Sequence, residues 1–214
     1  AFVCAHSAAM QECYDLLADE RSREVFLDTV RFKLSGRLEY LRRSESGKDE
    51  VFENILKLTE NEHFSDLGAY NGDTIRELLH YTDGRFASVT ALEPDRRSFR
   101  KLNEWASADQ AGRQSHVANK GRETQMRALD SVLGGRPCTY LKMDVEGAER
   151  EAISGAEQTI RTFAPKLNIA AYHRSEDFFE LPLVIHSLCK DYALYLRHHP
   201  YVPAWDTNLY AVRR

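Results

Sequence analysis

Apolar and polar positions along this chain switch repeatedly between two periods. Short apolar runs at 63–67, 86–92, 116–119, 139–144, 166–172, 192–196 and 208–212 are bounded by turn residues and predict strands. Between them lie helical patterns: one starting near Thr74, a basic one over 95–105, and one after Gly147. The last carries Ala148, Ala152, Ile153, Ala156, Ile160 and Phe163 on one stripe. Ser175 is placed to cap a further helix, with Glu176 and Asp177 in its first turn. Residues 7–35 read as amphipathic helix, with Leu16, Leu17, Val25, Phe26, Leu27 and Val30 among charges. Asp19–Ser22 should break it in two, with Ser22 capping the second half. A charged loop (42–50) and a short helix over Val51–Leu58 lead into the core. Alternating strands and helices predict an α/β protein with a doubly wound, mostly parallel sheet behind a helical N-terminal extension, residues 1–58. The short link between the last two strands predicts a hairpin, and so one antiparallel member.

The most informative stretch is HFSDLGAYNGDTIRELL, residues 63–79. A strand ends at Asp66-Leu67-Gly68, a turn with two glycines follows, and a helix begins. That geometry binds nucleotide-like ligands at the carboxyl end of a parallel strand. Gly68 and Gly72 are expected to let the backbone approach a ligand, and Thr74 with Glu77 has capping-box spacing. The dinucleotide fingerprint lacks its middle glycine here, where Tyr70 stands. Asp66 is a poor neighbour for a pyrophosphate and a good one for an ammonium. A ligand joining adenosine to an amino acid fits better than one with two phosphates, which points to S-adenosylmethionine. Glu93 closes the next strand 21 residues beyond Gly72, near the spacing at which an acidic residue meets a ribose hydroxyl.

Composition narrows the class further. The 214 residues are 43% hydrophobic and 29% charged, ordinary for a soluble domain. A formal net charge of -4 offers no general field for nucleic acid or acidic membranes, so neither is expected as a partner. No apolar run approaches the roughly 20 residues of a membrane helix. Nothing at the amino end reads as a signal peptide, and Cys4, Cys13, Cys138 and Cys189 lack metal-ligand spacing. Reduced thiols in a cytoplasmic protein are the expectation, and zinc is not.

These segments resemble the FkbM-type methyltransferases, S-adenosylmethionine-dependent enzymes of the seven-stranded class. The carrying residues are DLGAYNGDT (66–74), ALEPD (91–95), ALDSVL (128–133), LKMDVEGAE (141–149) and PKLNIAAYHRSEDFFELPL (165–183). The resemblance implies a cofactor-binding domain over 59–214 with sheet order 3-2-1-4-5-7-6 and an antiparallel seventh strand. It implies a donor site of Asp66, Gly68, Ala69, Tyr70, Asn71, Gly72 and Thr74 around the methionine part. Glu93 and Pro94 would stand at the ribose, Ala118 at the adenine, and Asp144 at the methyl group. Only Lys120–Met126 stands where the family carries a longer segment that helps shape the substrate pocket.

Methyl transfer to a hydroxyl needs a positioned acceptor and removal of its proton. His173, at the end of the fifth strand, is the expected general base, and Asp144 orients the acceptor or assists. Two candidate ligands are too few for a divalent-ion site, so no metal is assigned. Glu146 is expected to cap or charge the following helix. His198, His199, Tyr172 and Trp205 are weaker candidates for lining the acceptor site, the aromatics reading more simply as core. The expected reaction is O-methylation of a small molecule or glycan. The alternatives are a nicotinamide-dependent oxidoreductase, which the missing glycine and Asp66 disfavour, and a non-catalytic cofactor-binding module. The N-terminal helices could cover the cofactor domain or form a homo-oligomer surface.

Overall fold

The computed structural model describes residues 2–108, 115–118, 128–200 and 206–214, with residues 108 and 115–118 in backbone only. The expected loop over 120–126, Tyr201 to Trp205 and the strand end at Asn119 therefore lie outside the described residues. The chain divides into two compact units, Lys57–Lys166 and the joined segments Ala1–Leu56 and Leu167–Arg214. The N-terminal helices, expected as a separate extension over 1–58, thus belong to one body with the last strands.

In the first unit four strands lie parallel: β1 (His63–Leu67), β2 (Ser88–Leu92), β3 (Ser115–Ala118) and β4 (Tyr140–Met143). β1 is central, pairing with β2 on one side and β4 on the other, and β3 pairs with β2. The parallel register places Asp66 beside Ala91 and Lys142. Phe64 and Tyr140, also register partners, stack with centroids 4.6 Å apart and bury two rings in the core.

Helix Asp73–Tyr81 follows β1 and buries Ile75 and Leu78, three residues apart on one face. Its start departs from the expected capping box. Gly72, which has no side chain to cap with, is the N-cap residue, and the Thr74 hydroxyl donates to Asp66. The single stripe expected after Gly147 is divided into helices Glu149–Ser154 and Glu157–Phe163. The Gly155 carbonyl accepts from Asp130 N–H (3.0 Å), and Asp130 Oδ1 and Oδ2 accept from Thr159 and Gln158 N–H (2.8 and 2.9 Å). A carboxylate from the ALDSVL segment thus caps a helix that begins 27 residues later.

The second unit holds β5 (Lys166–Ala170, from Leu167 on), β6 (Tyr192–His198) and β7 (Thr207–Arg213). β7 runs antiparallel to both, lying between them, as the hairpin expectation required. The open edge of β6 is covered by the N-terminal segment. Leu17 and Glu45 bridge to Leu194 and His198, and Ala18 and Ser46 donate to the carbonyls of the same two residues at 2.8 and 2.7 Å. An exposed strand edge is a template for aggregation, and these bridges blunt it.

Helix Glu20–Ser35 packs on β6, and its cap is Asp19 rather than Ser22. Asp19 Oδ1 accepts from Ser22 N–H at 2.8 Å, so Ser22 sits three residues inside, where an N-cap acceptor finds its donor. Asp19 also receives Arg197 of β6, whose guanidinium grips Glu50 with two bonds of 3.0 Å. Ser175 likewise gives no cap: helix Asp177–Leu188 has Glu176 at its N-cap, and Asp177 reaches back to Arg174 N–H at 2.7 Å. Val51–Leu56 winds as a π-helix, two residues shorter than the expected helix. Among the described residues no helix is long and apolar enough to cross a membrane.

Candidate active site

At the carboxyl end of β1 the backbone folds over itself. Gly68 and Ala69 N–H both donate to the Leu92 carbonyl (2.9 and 3.2 Å), and Gly72 N–H closes the turn on Ala69 O (2.8 Å). The glycines also have a packing role. A Cβ on Gly68 would collide with the backbone carbonyl of Asp144, and one on Gly72 would sit 3.1 Å from Leu102 Cδ1 and Trp105 Cε3. Both lie at positive φ, +88° and +85°. The space a side chain would take is filled by protein, so Gly68 lets β1 meet the end of β4, and Gly72 lets the turn meet helix Arg96–Ala108.

Tyr70 is the unusual residue of this turn. It holds a left-handed backbone at φ 43°, costly for a side chain with a Cβ, and remains 51% exposed. Its N–H donates to Glu93 Oε2 at 2.7 Å, which fixes that conformation. Asn71 is held from the other side, its side-chain and backbone oxygens accepting from Arg76 at 3.3 and 3.2 Å.

Glu93 stands just past β2. Its second oxygen, Oε1, accepts from Asp95 N–H at 2.7 Å, and exposed Pro94 spans the two acidic residues. Burial lifts its carboxyl above the usual range, against the pull of the two N–H donors. Glu93 is therefore a strut for the glycine turn as well as a candidate ribose ligand. Ala118 ends β3 in register with Leu92, on the same strand-end row.

Asp66 is fully buried. Oδ2 accepts from Thr74, while Oδ1 has no hydrogen-bond partner among the described residues. Burial pushes its carboxyl up to about 6; Lys142 and Thr74 pull it down, and Asp73 and Asp144 push it further up. An orphaned buried carboxylate oxygen is costly and calls for a ligand donor. Lys142, beside Asp66 on β4, is a charged residue inside an otherwise buried strand, and the sequence reading passed over it. Its Nζ lies 3.6 Å from Asp144 Oδ2.

Asp144 extends the β1–β4 ladder, its N–H donating to Leu67 O at 2.9 Å. The turn after it is closed by Glu149 rather than Glu146. Buried Glu149 accepts from Val145 N–H (3.0 Å) and Gly147 N–H (3.4 Å), whereas Glu146 is exposed with φ 55°. The E-G-A-E spacing carried that signal, since a carboxylate at a helix start can fold back onto its own turn.

In the other unit, His173 follows β5 half-buried, its ring 4.3 Å from that of Tyr172. His198 and His199 are buried and hydrogen-bonded within their own unit. His199 Nδ1 donates to Ser46 O (2.9 Å), which makes Nε2 the acceptor for the Tyr210 hydroxyl (2.8 Å). His198 is paired through Nδ1 with Thr207 Oγ1 at 3.0 Å, and burial holds its pKa below the ordinary value. Trp205 lies outside the described residues. All four cysteines are free thiols, and burial lifts Cys13 and Cys138 to about 12 and about 11.

The sequence model of the FkbM methyltransferase domain matches residues 100–203. The crystal structure of methyltransferase FkbM from Methylobacillus flagellatus KT is similar at a TM-score of 0.88 and 30% identity, over 98% of this chain and 59% of that one. This chain thus spans about three-fifths of that relative's length. Fibrillarin from Aeropyrum pernix, solved with natively bound S-adenosyl-L-methionine, is similar at TM-score 0.53 and 13% identity, over 77% of this chain and 73% of that one. Precorrin-6y C5,15-methyltransferase from Geobacter metallireducens GS-15 is similar at TM-score 0.51 and 12% identity, over 73% and 80%. No curated protein matches the chain. The fold is one shared with solved methyltransferases. Within that fold, the chain is similar to the FkbM methyltransferases, by the domain match over residues 100–203 and by one solved relative.

Proposed function

We propose that this protein is an S-adenosylmethionine-dependent methyltransferase that methylates a hydroxyl on a small molecule or glycan. The observation that carries the reading is the buried Asp66 oxygen, without a partner among the described residues, beside the glycine turn and on the strand next to the one that Glu93 follows. The residues fit the cofactor. Asp66 would receive the amino-acid ammonium, Glu93 the ribose hydroxyls, and the Gly68–Gly72 turn and Thr74 would border the methionine part. Ala118 and Pro94 would border the nucleoside. S-adenosylmethionine, when bound, supplies an activated methyl group on a sulfonium centre.

This reading keeps the expected strand order 3-2-1-4-5-7-6. Supporting it, the order within one unit is β3-β2-β1-β4 and within the other β5-β7-β6. His173 takes the acceptor's proton and Asp144 orients the acceptor. A half-buried imidazole just past a strand end suits that work, because only the neutral ring accepts a proton and its pKa range lies near neutrality.

Calorimetric titration with S-adenosylhomocysteine and NAD tests the donor, and transfer of labelled methyl to a panel of hydroxyl compounds tests the reaction. Micromolar S-adenosylhomocysteine binding with no NAD binding, and label on an acceptor oxygen, is expected. Binding of NAD alone overturns the reading, and cofactor binding with no transfer to any acceptor reduces it to a binding module. His173→Ala should lower turnover by about 10²–10⁴ with donor affinity unchanged.

A further inference from the structure

Asp66 and Lys142 are register partners on adjacent parallel strands, so their side chains leave the same face of the sheet. Asp144, two residues beyond Lys142, continues that row through its backbone bond to Leu67. The lysine side chain is only 12% exposed, and its Nζ lies 3.6 Å from Asp144 Oδ2. A carboxylate, an ammonium and a second carboxylate thus share one strand-end row.

Resting on the methyl-transfer reading, we infer that Lys142 is a positioning residue of the donor site. Its ammonium holds the Asp144 carboxylate at the strand end and keeps the unpartnered Asp66 oxygen an anion able to receive the donor's ammonium. The charges facing Asp66 explain why such a residue is needed. From its own turn and helix come the Thr74 hydroxyl and the Asp73 carboxylate, and from β4 come Lys142 and Asp144. With the lysine neutralised, two carboxylates and full burial would all favour a protonated Asp66. A neutral carboxyl offers a ligand ammonium no ion pair. The buried lysine is therefore more than a structural counter-ion: it decides at which pH the site can grip its ligand.

The test is calorimetric titration of the full chain with S-adenosylhomocysteine between about pH 5 and pH 7.5, with adenosine as a probe lacking the amino-acid part. The parent should bind S-adenosylhomocysteine with constant affinity near neutrality and lose about tenfold per pH unit below about 6, where Asp66 takes up its proton. In Lys142→Met that fall should begin at least about one unit higher, leaving binding roughly twofold weaker at pH 7 and approaching tenfold weaker at about pH 5. Lys142→Arg should restore the parent profile, and adenosine should bind all three proteins alike at every pH. If Lys142→Met fails to melt cooperatively, Lys142→Gln replaces it with the same expected shift. An unshifted profile, or a loss of adenosine binding equal to that of S-adenosylhomocysteine, overturns this inference alone. No S-adenosylhomocysteine binding by the parent at any pH overturns the methyl-transfer reading and this inference with it.

Discussion

Two buried charged residues, one in each unit, are surrounded very differently. Arg197 of β6 is 2% exposed and directs its guanidinium to Asp19, Glu50, the Ser22 hydroxyl and the Leu196 carbonyl. Asp66 of β1 is equally buried, yet one of its oxygens has no protein partner among the described residues. The histidines repeat the contrast with Asp66: His199 uses both ring nitrogens within its own unit. A buried charge left incompletely paired is destabilising. The unit holding Arg197 therefore uses its buried polar groups to fasten the N-terminal helices to β6. The unit holding Asp66 keeps one in reserve at a strand end, where a ligand can complete it.

The sharpest way to break this contrast is at Gly68. Gly68→Val places a Cβ against the Asp144 carbonyl at a left-handed backbone position, and should cost at least about 3 kcal/mol in denaturant unfolding. Loss of cofactor binding with full stability would instead return Gly68 to direct ligand contact. Gly72→Ala, which meets only the side chains of Leu102 and Trp105, should cost less, since those can shift.

Arg197→Met should lower stability by about 2–4 kcal/mol, because two carboxylates and a buried serine lose their partner. S-adenosylhomocysteine affinity, measured where the variant is folded, should stay within about twofold. A large loss of affinity at full stability would show that this cluster serves the ligand.

Asp66→Asn should do the reverse. Its folded pKa of about 6 lies about two units above the unfolded value, so the folded state binds the proton more tightly. Stability from this group is greatest below the unfolded pKa of about 4, falls as pH rises to about 6, and is flat above, a cost of at most about 3 kcal/mol. The amide removes that cost, so Asp66→Asn should be as stable as the parent or more so at pH 7 while binding S-adenosylhomocysteine at least tenfold more weakly. A destabilised variant with normal binding would place Asp66 with Arg197 as a structural residue.

The smallest expected effect is at Glu93. Glu93→Ala should weaken S-adenosylhomocysteine binding by about 1–3 kcal/mol, part of it from the lost ribose contact and part from freeing Tyr70 and Asp95. A 2′-deoxyribose analogue separates the two parts. It should weaken the parent and leave the variant little changed, and simple addition of the two losses would leave Glu93 with the strut role alone.

Local periodicity carried much of the fold. The strand over His63–Leu67, the helix after Gly72 and the antiparallel β6–β7 pair were legible because period and turn chemistry are written in neighbouring residues. The acidic residues at the ends of the first two strands, Asp66 and Glu93, were legible too. Helix caps were less so. Thr74, Ser22 and Ser175 each have the residue type for a cap, yet tertiary partners claim Thr74 and Ser22, and Asp177 replaces Ser175. A short polar side chain bonds to whichever partner the fold brings nearest, and spacing alone does not disclose that partner.

The sequence by itself determined the alternation of strands and helices, the glycine turn, and the acidic residues at two strand ends, all of them properties of contiguous chain. Only the tertiary structure decided what the glycines make room for, since the atoms filling that space come from Asp144 and Trp105, tens of residues away. It likewise decided that Asp130 caps a distant helix, that Glu93 braces Tyr70, and that Lys142 stands beside Asp66. Pairing register and burial set those outcomes, and both arise from contacts between segments that are far apart in the chain.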